Sequence, residues 1–350
     1  IFFYLNVTNF ISFFSGKSVL FKYQNMQTLS QIRKVFLNYC SNNTFDHSPE
    51  ELYQPINYIL SLGGKRIRPI LALLGHQLFD DAIEKSLCAA HAVEVFHNFT
   101  LLHDDIMDEA PIRRGKPTVH EKYDENTAIL SGDAMMILSY QSLLKVEDSS
   151  KVAPLYRIMN KAAIEVCEGQ QMDMNFEDRT NVTIEEYLKM IEYKTAVLLG
   201  GALQMGACIA NADETNAQRA YEVGKNIGLA FQIQDDILDT FGDPAKFGKK
   251  VGGDIIQNKK TYLALKALEL AEEDTHETLM TLLTTPTTNE SAKIAAVKTI
   301  YNQLDIQRVS EKKKKEYLEL AFDHLNDIEV ADDRKQILFD LANQLMSREV

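Results

Sequence analysis

The chain has 350 residues, with 37 Lys and Arg against 50 Asp and Glu, so its formal net charge is −13. This balance argues against nucleic acid or an anionic membrane surface as the main partner, because such polyanions bind to basic faces. Hydrophobic residues make up 45% and charged residues 25% of the chain, which is typical of a globular protein with a large core.

The first 25 residues are rich in aromatic side chains but lack the basic start and continuous apolar core of a signal peptide. Because the first methionine is Met26, we expect residues 1–25 to be an upstream extension and the folded domain to span 26–350. An amphipathic arm that belongs to the protein is the alternative, and a large loss of activity on its removal would support it. No apolar run reaches about 18 residues, so no membrane span is predicted. Four cysteines without C-x-x-C spacing are typical of reduced thiols, which predicts a cytoplasmic location.

Helical periodicity dominates after about residue 28. Segments 86–103 and 217–239 are too long for strands and are rich in Ala and Leu, which favour helices. The polar segments 145–151 and 284–291 are predicted to be loops, and neither is long enough to separate two domains. The sequence therefore predicts an all-α, single-domain helical bundle with functional loops at one end.

The first basic motif along the chain runs from Gly63 to Pro69 with the sequence GGKRIRP. Lys65 and Arg68 are three residues apart, which predicts that they share one side of an incipient helix, and the glycine pair lets the backbone approach a ligand. The alternative is a turn and a helix start with solvated cations. His97 is a weaker signal, since a lone histidine on a helix is more often a satisfied, partly buried residue.

An acidic cluster follows, formed by Asp104, Asp105 and Asp108. Asp104 and Asp108 are one helical turn apart and share a face, so their charges repel, and the negative end of the helix dipole adds to the repulsion. Bound cations would offset this repulsion, and magnesium commonly takes one or two carboxylates together with water and phosphate oxygens. A solvated acidic face is the alternative.

A second acidic cluster, formed by Asp235, Asp236 and Asp239, repeats the D-D-x-x-D spacing. Each cluster is predicted near the C-terminal end of a long helix and is followed by a loop that carries Arg or Lys. Two facing walls of carboxylates can hold several magnesium ions around a diphosphate and neutralise it as a leaving group. Between the clusters, Lys194 and Thr195 are compatible with a ligand-binding site and equally with a solvent-exposed surface.

The order and number of these motifs resemble the trans-prenyltransferases, the farnesyl and geranylgeranyl diphosphate synthase family, from about residue 30 to the C-terminus. The motifs that carry the resemblance are GGKRIRP at 63–69, DDIMD at 104–108 with RRG at 113–115, GD at 132–133, GQ at 169–170, KT at 194–195 and FQIQDDILD at 231–239. The resemblance implies a polyprenyl synthetase domain with the isoprenoid synthase type of bundle, a deep central cavity and usually a homodimer.

The resemblance also implies a role for each motif residue. The implied magnesium ligands are Asp104, Asp105, Asp108 and Asp235, with Asp236 and Asp239 acting through water. Three ions per site are implied, and Mn²⁺ is expected to substitute for Mg²⁺. The allylic diphosphate would be held by Arg113, Lys194, Lys249 and Lys259, although a loop one residue longer than in some relatives leaves Lys250 as an alternative to Lys249. Isopentenyl diphosphate would be held by Lys65, Arg68, His97 and Arg114. Lys194, Thr195, Gln232 and the first two aspartates would line the reaction centre.

The implied reaction joins isopentenyl diphosphate to dimethylallyl, geranyl or farnesyl diphosphate by ionisation, condensation and proton loss. Phe99, five residues before the first cluster, resembles the bulky residue of short-product enzymes, and Phe96 lies eight residues before it. A C20 product is favoured over C15. The alternatives are a longer-chain synthase, a terpene cyclase and a non-catalytic subunit.

Overall fold

The computed structural model describes residues 26–243, 251–285 and 288–347. The expected extension 1–25 and the predicted diphosphate ligand Lys249 lie outside these ranges. The helices are α1 (Leu29–Ser41), α2 (Glu50–Ser61), α3 (Ile67–Gln77), α4 (Leu87–Met107), α5 (Val119–Lys122), α6 (Glu125–Leu143), α7 (Val152–Glu177), α8 (Ile184–Ile191), α9 (Val197–Ile209), α10 (Glu214–Phe241), α11 (Gly253–Ile256), α12 (Tyr262–Leu270), α13 (Glu273–Thr284), α14 (Glu290–Gln303), α15 (Ile306–Asp327) and α16 (Asp332–Met346). The prediction of an all-α fold is confirmed.

Both long helices predicted from periodicity are present, and both extend beyond their predicted ends. The helix predicted over 86–103 is α4 and continues through the first aspartates to Met107. The helix predicted over 217–239 is α10 and begins three residues earlier, because the Asp213 side chain caps it by accepting a hydrogen bond from the amide of Asn216. Each acidic cluster therefore lies in the last turns of a long helix, as predicted.

The centre of the bundle is built by α3, α4, α9 and α10. Helix α10 packs against α9 and α15, α3 packs against α9, and α4 packs against α6. Helices α3 and α9 approach closely because glycine is present at the crossing: a Cβ atom on Gly206 would lie 1.9 Å from the carbonyl oxygen of Ala72. Buried apolar residues of these helices form the main core, and a second cluster fills the space between α8, α10, α12, α14 and α15.

The sequence predicts a plain loop after the first acidic cluster, but the structure has a short β-ribbon there. Ile112–Arg113 and Lys116–Pro117 pair as a two-stranded antiparallel ribbon. Arg114 and Gly115 form its tip with φ angles of 53° and 73°, the pattern of a two-residue type I′ turn. The ribbon fixes where Arg113 and Arg114 point, which a flexible loop would not.

The predicted loop 145–151 contains a short 3₁₀ turn at Ser149–Lys151, and the predicted loop 284–291 shortens to the residues between α13 and α14, of which 286–287 lie outside the described ranges. Helix α16 packs against α10 and α15. Its buried Arg334 reaches the end of α3, where it donates to the carbonyl of Gln77 at 2.6 Å and to the carboxylate of Asp81 at 2.9 Å. Within the part of the chain that the structure describes, no helix combines the length and the apolar character needed to cross a membrane.

Candidate active site

The end of α4 borders a cavity of about 300 Å³ between α4 and α7. Asp104 and Lys194 both line it, and one carboxylate oxygen of Asp104 is 3.5 Å from the Nζ atom of Lys194. Asp108 follows as the C-cap of α4. Burial, and then the nearby charge of Asp104, raise the pKa of Asp108, although Lys259 and Lys194 act in the opposite direction. The two acids one turn apart therefore do interact, as the sequence predicted.

Asp105 differs from its two neighbours because it is buried and does not line the cavity. Both of its oxygens accept hydrogen bonds from the Nε atom of Arg113, at 2.8 and 2.7 Å, and the Nη2 atom lies 2.6 Å from one of them. Burial would lower the pKa of Arg113, but the bonds and charge of Asp105 outweigh it and raise that pKa. Arg113 is thus held between the ribbon and the first acidic cluster.

Lys194 and Thr195 lie on a π-helical turn, Glu192–Ala196, inserted between α8 and α9. Helix α7 can pass close to this turn because residue 169 is glycine: a Cβ atom there would lie 2.2 Å from the amide nitrogen of Lys194. The Lys194 ammonium is 2.6 Å from a carboxylate oxygen of Asp173. Burial would lower the pKa of Lys194, but Asp104 and Asp173 outweigh it and raise that pKa. Thr195 donates from its hydroxyl to the Oε1 atom of Gln232 at 3.2 Å.

The second acidic cluster adjoins a further cavity of about 220 Å³, which Lys194 and Thr195 also line. Asp236 is buried at its wall and accepts hydrogen bonds from the Tyr187 hydroxyl, from Gln232 at 3.3 Å and from the amide of Tyr262 at 3.4 Å. Burial and then the charge of Asp254 raise the pKa of Asp236 to about 8, although these hydrogen bonds oppose the shift.

Three of the four residues predicted for isopentenyl diphosphate border one another. The Nη1 atom of Arg68 lies 3.2 Å from the Nε2 atom of His97, which accepts the bond because burial and then the charge of Arg68 hold the pKa of His97 well below its usual value. The guanidinium of Arg114 covers Gly64, where a Cβ atom would lie 2.8 Å from its central carbon, and it donates to the carbonyl of Gly63.

Lys65 is not on the helix, contrary to the sequence-based expectation. Helix α3 begins only at Ile67, because Arg66 before it adopts a left-handed conformation with φ of 54°. The Arg66 side chain forms a buried ion pair with Glu94, so this middle residue of the motif supports the fold. The prediction correctly placed Arg68 in the first turn of α3 but not Lys65, which lies in the preceding loop.

The site residues fit a divalent metal that binds together with an anionic ligand. Among the described residues, no three His, Cys, Asp or Glu side chains are grouped closely enough to hold a metal ion by themselves. Magnesium fits such a site when phosphate oxygens and water complete its shell, since it needs only one or two carboxylates. The buried Nε–H group of Arg68 has no hydrogen-bond partner within the described ranges, and a phosphate oxygen would supply one.

Helices α4 and α7 also supply the apolar lining of the first cavity. Phe99 lines the cavity, whereas Phe96 is fully buried behind it with the two ring centres 5.3 Å apart. The ring of His103 lies 4.9 Å from that of Phe99 in an edge-to-face arrangement. Gly132 leaves room for this imidazole, because a Cβ atom at that position would lie 2.2 Å from its Nε2 atom.

Sequence reasoning missed Asp173, Tyr187 and Asp254. Asp173 could have been found from the sequence, since it follows Gly169 of the GQ motif by one helical turn on the same helix. Tyr187 and Asp254 had none, because their contacts with Asp236 depend on how α8 and the segment after α10 pack.

The polyprenyl synthetase family model matches residues 49–304, nearly three quarters of the chain and including both acidic clusters. The chain belongs to the polyprenyl synthetase family. This confirms the prediction of a prenyltransferase with the isoprenoid synthase bundle.

Two curated relatives and one solved structure of this family cover most of the chain. It is 39% identical over 305 residues to a short chain isoprenyl diphosphate synthase of Methanocaldococcus jannaschii, covering 87% of this chain and 91% of that protein. It is 35% identical over 312 residues to a geranylgeranyl diphosphate synthase of Sulfolobus acidocaldarius, covering 88% and 92%. A crystal structure of a geranylgeranyl pyrophosphate synthase is similar with a TM-score of 0.89 and 44% identity, covering 93% of this chain and all of that one.

Proposed function

We propose that this polyprenyl synthetase is a short-chain, all-trans prenyl diphosphate synthase that condenses isopentenyl diphosphate with an allylic diphosphate. One observation carries the proposal: a single cavity is lined both by the charged groups of Asp104 and Lys194 and by the apolar ring of Phe99. Such a cavity suits a substrate with a diphosphate head and a hydrocarbon tail. The names of the similar proteins support the same reaction class.

Magnesium, or manganese in its place, would neutralise the departing diphosphate, and three ions per site are proposed. Asp104, Asp108 and Asp235 are the proposed ligands, with Asp239 acting through water. Asp105 was also expected to be a ligand, but both its oxygens accept bonds from Arg113, so we propose that it positions that guanidinium instead. Asp236 is likewise proposed to position Gln232 and Tyr187 rather than to bind metal directly.

The cations divide the two substrates between them. Lys194, Lys259 and Arg113 are proposed to hold the allylic diphosphate, together with Lys249. Arg68, His97, Arg114 and Lys65 are proposed to hold isopentenyl diphosphate. The Nε–H of Arg68, which has no hydrogen-bond partner among the described residues, would donate to it. Thr195 and Gln232 line the space between the two groups. The apolar wall would exclude water and so protect the allylic cation from hydrolysis until isopentenyl diphosphate attacks it. The released diphosphate would then accept the proton that is lost.

The proposed product is C20 geranylgeranyl diphosphate, with C15 farnesyl diphosphate the next candidate. The growing chain would extend along α4 until it meets the ring of Phe99, and Phe96 would support that ring from behind. The geranylgeranyl names of similar proteins favour the C20 product.

A homodimer in the cytoplasm is proposed as the working form. Leu130, Ile137 and Leu144 recur every seven residues along α6 and its end, and their side chains are 60%, 58% and 56% exposed. An apolar stripe of this kind on a helix is typical of a surface that another chain covers.

The test mixes purified protein, Mg²⁺, isopentenyl diphosphate and each allylic primer, and measures diphosphate release and product length by chromatography. We expect release only when both substrates are present, loss of activity with excess chelator and recovery on adding Mg²⁺. Release from the allylic substrate alone would instead indicate a terpene cyclase, no release would indicate a non-catalytic subunit, and products beyond C25 would indicate a longer-chain synthase.

A further inference from the structure

The segment from Gly252 to Tyr262 covers the second acidic cluster. The amide of Asp254 donates to the Asp239 carboxylate at 3.0 Å, and the amide of Tyr262 donates to the Asp236 carboxylate at 3.4 Å. The amide of Lys259 donates to the carbonyl of Asp254 at 2.9 Å. The path of this segment therefore determines where Lys259, which lines the second cavity, meets a diphosphate.

Helix α14 supports the same segment from the side away from the cavity. Ile294 packs on Gly252, where a Cβ atom would lie 2.8 Å from its side chain, and Gly252 itself has a φ of 88°. One residue earlier in α14, the ammonium of Lys293 donates a short hydrogen bond to the Oδ1 atom of Asn258. Asn258 immediately precedes Lys259 and forms a left-handed turn with a φ of 57°. The contact with Lys293 holds this turn.

Lys293 is an unusual residue for this position because its side chain is buried, with only 4% exposed. Within the described ranges it forms no ion pair, and its sole hydrogen-bond acceptor is a neutral amide. Burial lowers its pKa accordingly. A buried ammonium without a carboxylate costs stability, so a chain selected for stability alone would place an apolar residue here.

We propose that Lys293 is a positioning residue for the allylic diphosphate site: it fixes the Asn258 turn and thereby the location of Lys259. This inference rests on the proposed synthase function, in which Lys259 contacts the allylic diphosphate.

The test is Lys293→Met, which keeps the length of the side chain and removes its charge and donor. We expect the Michaelis constant for the allylic diphosphate to rise about tenfold or more, as is typical for loss of a hydrogen bond to a charged group. The Michaelis constant for isopentenyl diphosphate should change less than about twofold, because Arg68 and His97 are not attached to this segment. The melting temperature should stay equal or rise, since an uncompensated buried charge is removed.

Two further variants and one control complete the experiment. Asn258→Asp keeps an acceptor for Lys293 and should retain the wild-type allylic constant, whereas Asn258→Gly removes the acceptor without backbone strain and should behave like Lys293→Met. The double variant Lys293→Met, Asn258→Gly should be no worse than either single one. Lys298→Met, on the same helix and partly exposed, should leave both constants unchanged.

The outcomes separate this inference from the proposed function. Wild-type protein without synthase activity would refute the function itself. Active wild type with an unchanged allylic constant in Lys293→Met would overturn only the positioning role. An equal rise in both Michaelis constants, or a lowered melting temperature without a kinetic split, would likewise show that Lys293 serves the fold alone.

Discussion

Individual side chains of the two proposed substrate sites differ in what holds them. Arg68 is half-buried beside His97, and burial lowers its pKa to about 10 although the charges of Glu94 and Asp235 act against the shift. Lys194 instead lies between two carboxylates, those of Asp104 and Asp173. Arg68 can donate a hydrogen bond to an anion directly. An anion near Lys194 must first compete with the carboxylates of Asp104 and Asp173.

Substitution of these two cations should therefore separate the two substrates. We expect Arg68→Ala to raise mainly the Michaelis constant for isopentenyl diphosphate, by about tenfold or more, because a charged donor is lost. Lys194→Ala should mainly weaken use of the allylic substrate or lower kcat. Steady-state kinetics with each substrate varied in turn tests this, and equal effects of both variants on both substrates would refute the division. Lys225→Ala, which removes a lysine of α10 that lines neither cavity, is the control for loss of a lysine.

The acids of the two clusters should not be equivalent. Asp104→Ala or Asp235→Ala should reduce kcat by about 10²-fold or more, since each removes charge stabilisation of the leaving group. Asp105→Asn should leave the metal concentration for half-maximal activity near the wild-type value, because we propose that Asp105 holds Arg113 rather than metal. A magnesium titration of Asp105→Asn beside the wild type decides the matter: a rise of that concentration in Asp105→Asn would show that Asp105 is a ligand.

At the scale of helices and strands, local patterns carried most of the prediction. The helix lengths, the position of both clusters and the location of Arg68 follow from residues close in sequence, which periodicity can detect. The ribbon that aims Arg113 was missed, because two residues per strand leave no alternating pattern and the Arg114-Gly115 turn is visible only through its φ angles. The roles of Tyr187 and Lys293 were missed because their partners lie 49 and 35 residues away in the chain.

Helix α4 makes a specific prediction for product length. Phe99→Ala should remove the apolar floor of the first cavity and lengthen the products, as chromatography of the reaction mixture would show. Phe96→Ala alone should chiefly destabilise the protein, by about 3–5 kcal/mol, because its ring is fully buried behind the cavity. A folded Phe99→Ala variant with unchanged products would show that the floor lies elsewhere.

The packing between α4 and α6 makes a second prediction about the same cavity. A methyl group at position 132 would occupy the space of the His103 imidazole, whose ring contacts that of Phe99. Gly132→Ala should thus displace both rings and alter the distribution of product lengths without raising the Michaelis constant for isopentenyl diphosphate. Gly201→Ala is the matched control, because a Cβ atom there meets its neighbours only at ordinary contact distance, 3.5 Å.

For the whole molecule, buried ionisable groups make stability depend on pH. Three histidines have a lowered pKa, since burial and then the charge of Arg68 hold the pKa of His97 well below 6.5. Burial raises the pKa of Asp236 to about 8, which acts in the opposite direction. Burial lowers the pKa of both His76 and His91 from 6.5 to about 4 in the folded protein. The unfolded chain therefore binds more protons between pH 6.5 and 4, and stability should fall as the pH falls through this window. The loss approaches about 3 kcal/mol for each histidine.

Urea unfolding measured at several pH values checks this dependence. His91→Gln should reduce the slope of unfolding free energy against pH by about 1.4 kcal/mol per pH unit, the contribution of one histidine, whatever its effect on stability at neutral pH. His276→Gln, at an exposed position, is the control and should keep the wild-type slope. Stability that is constant from pH 6.5 to pH 4 in the wild type would contradict the prediction.

The apolar stripe on α6 predicts how the proposed homodimer can be broken. Ile137→Glu would bury a charge at a dimer interface, so light scattering after gel filtration should show a shift towards monomer. Leu320→Glu changes an exposed leucine on α15, 46% accessible, and should leave the mass unchanged. A wild-type protein that elutes as a monomer at micromolar concentration would refute the dimer itself.

The bond between Arg334 and the carbonyl of Gln77 has a consequence for biosynthesis. Its partners are separated by 257 residues. A ribosome adds about 5–20 residues per second, so the carbonyl of Gln77 at the end of α3 waits on the order of 10 to 50 s for Arg334. During that interval the core lacks the apolar side chains of α16, among them Leu338, Leu341 and Leu345, and the surface that they cover stays open to chaperones. Completion of the bundle is therefore tied to the end of translation, and nascent chains stalled before residue 334 should remain bound to chaperones.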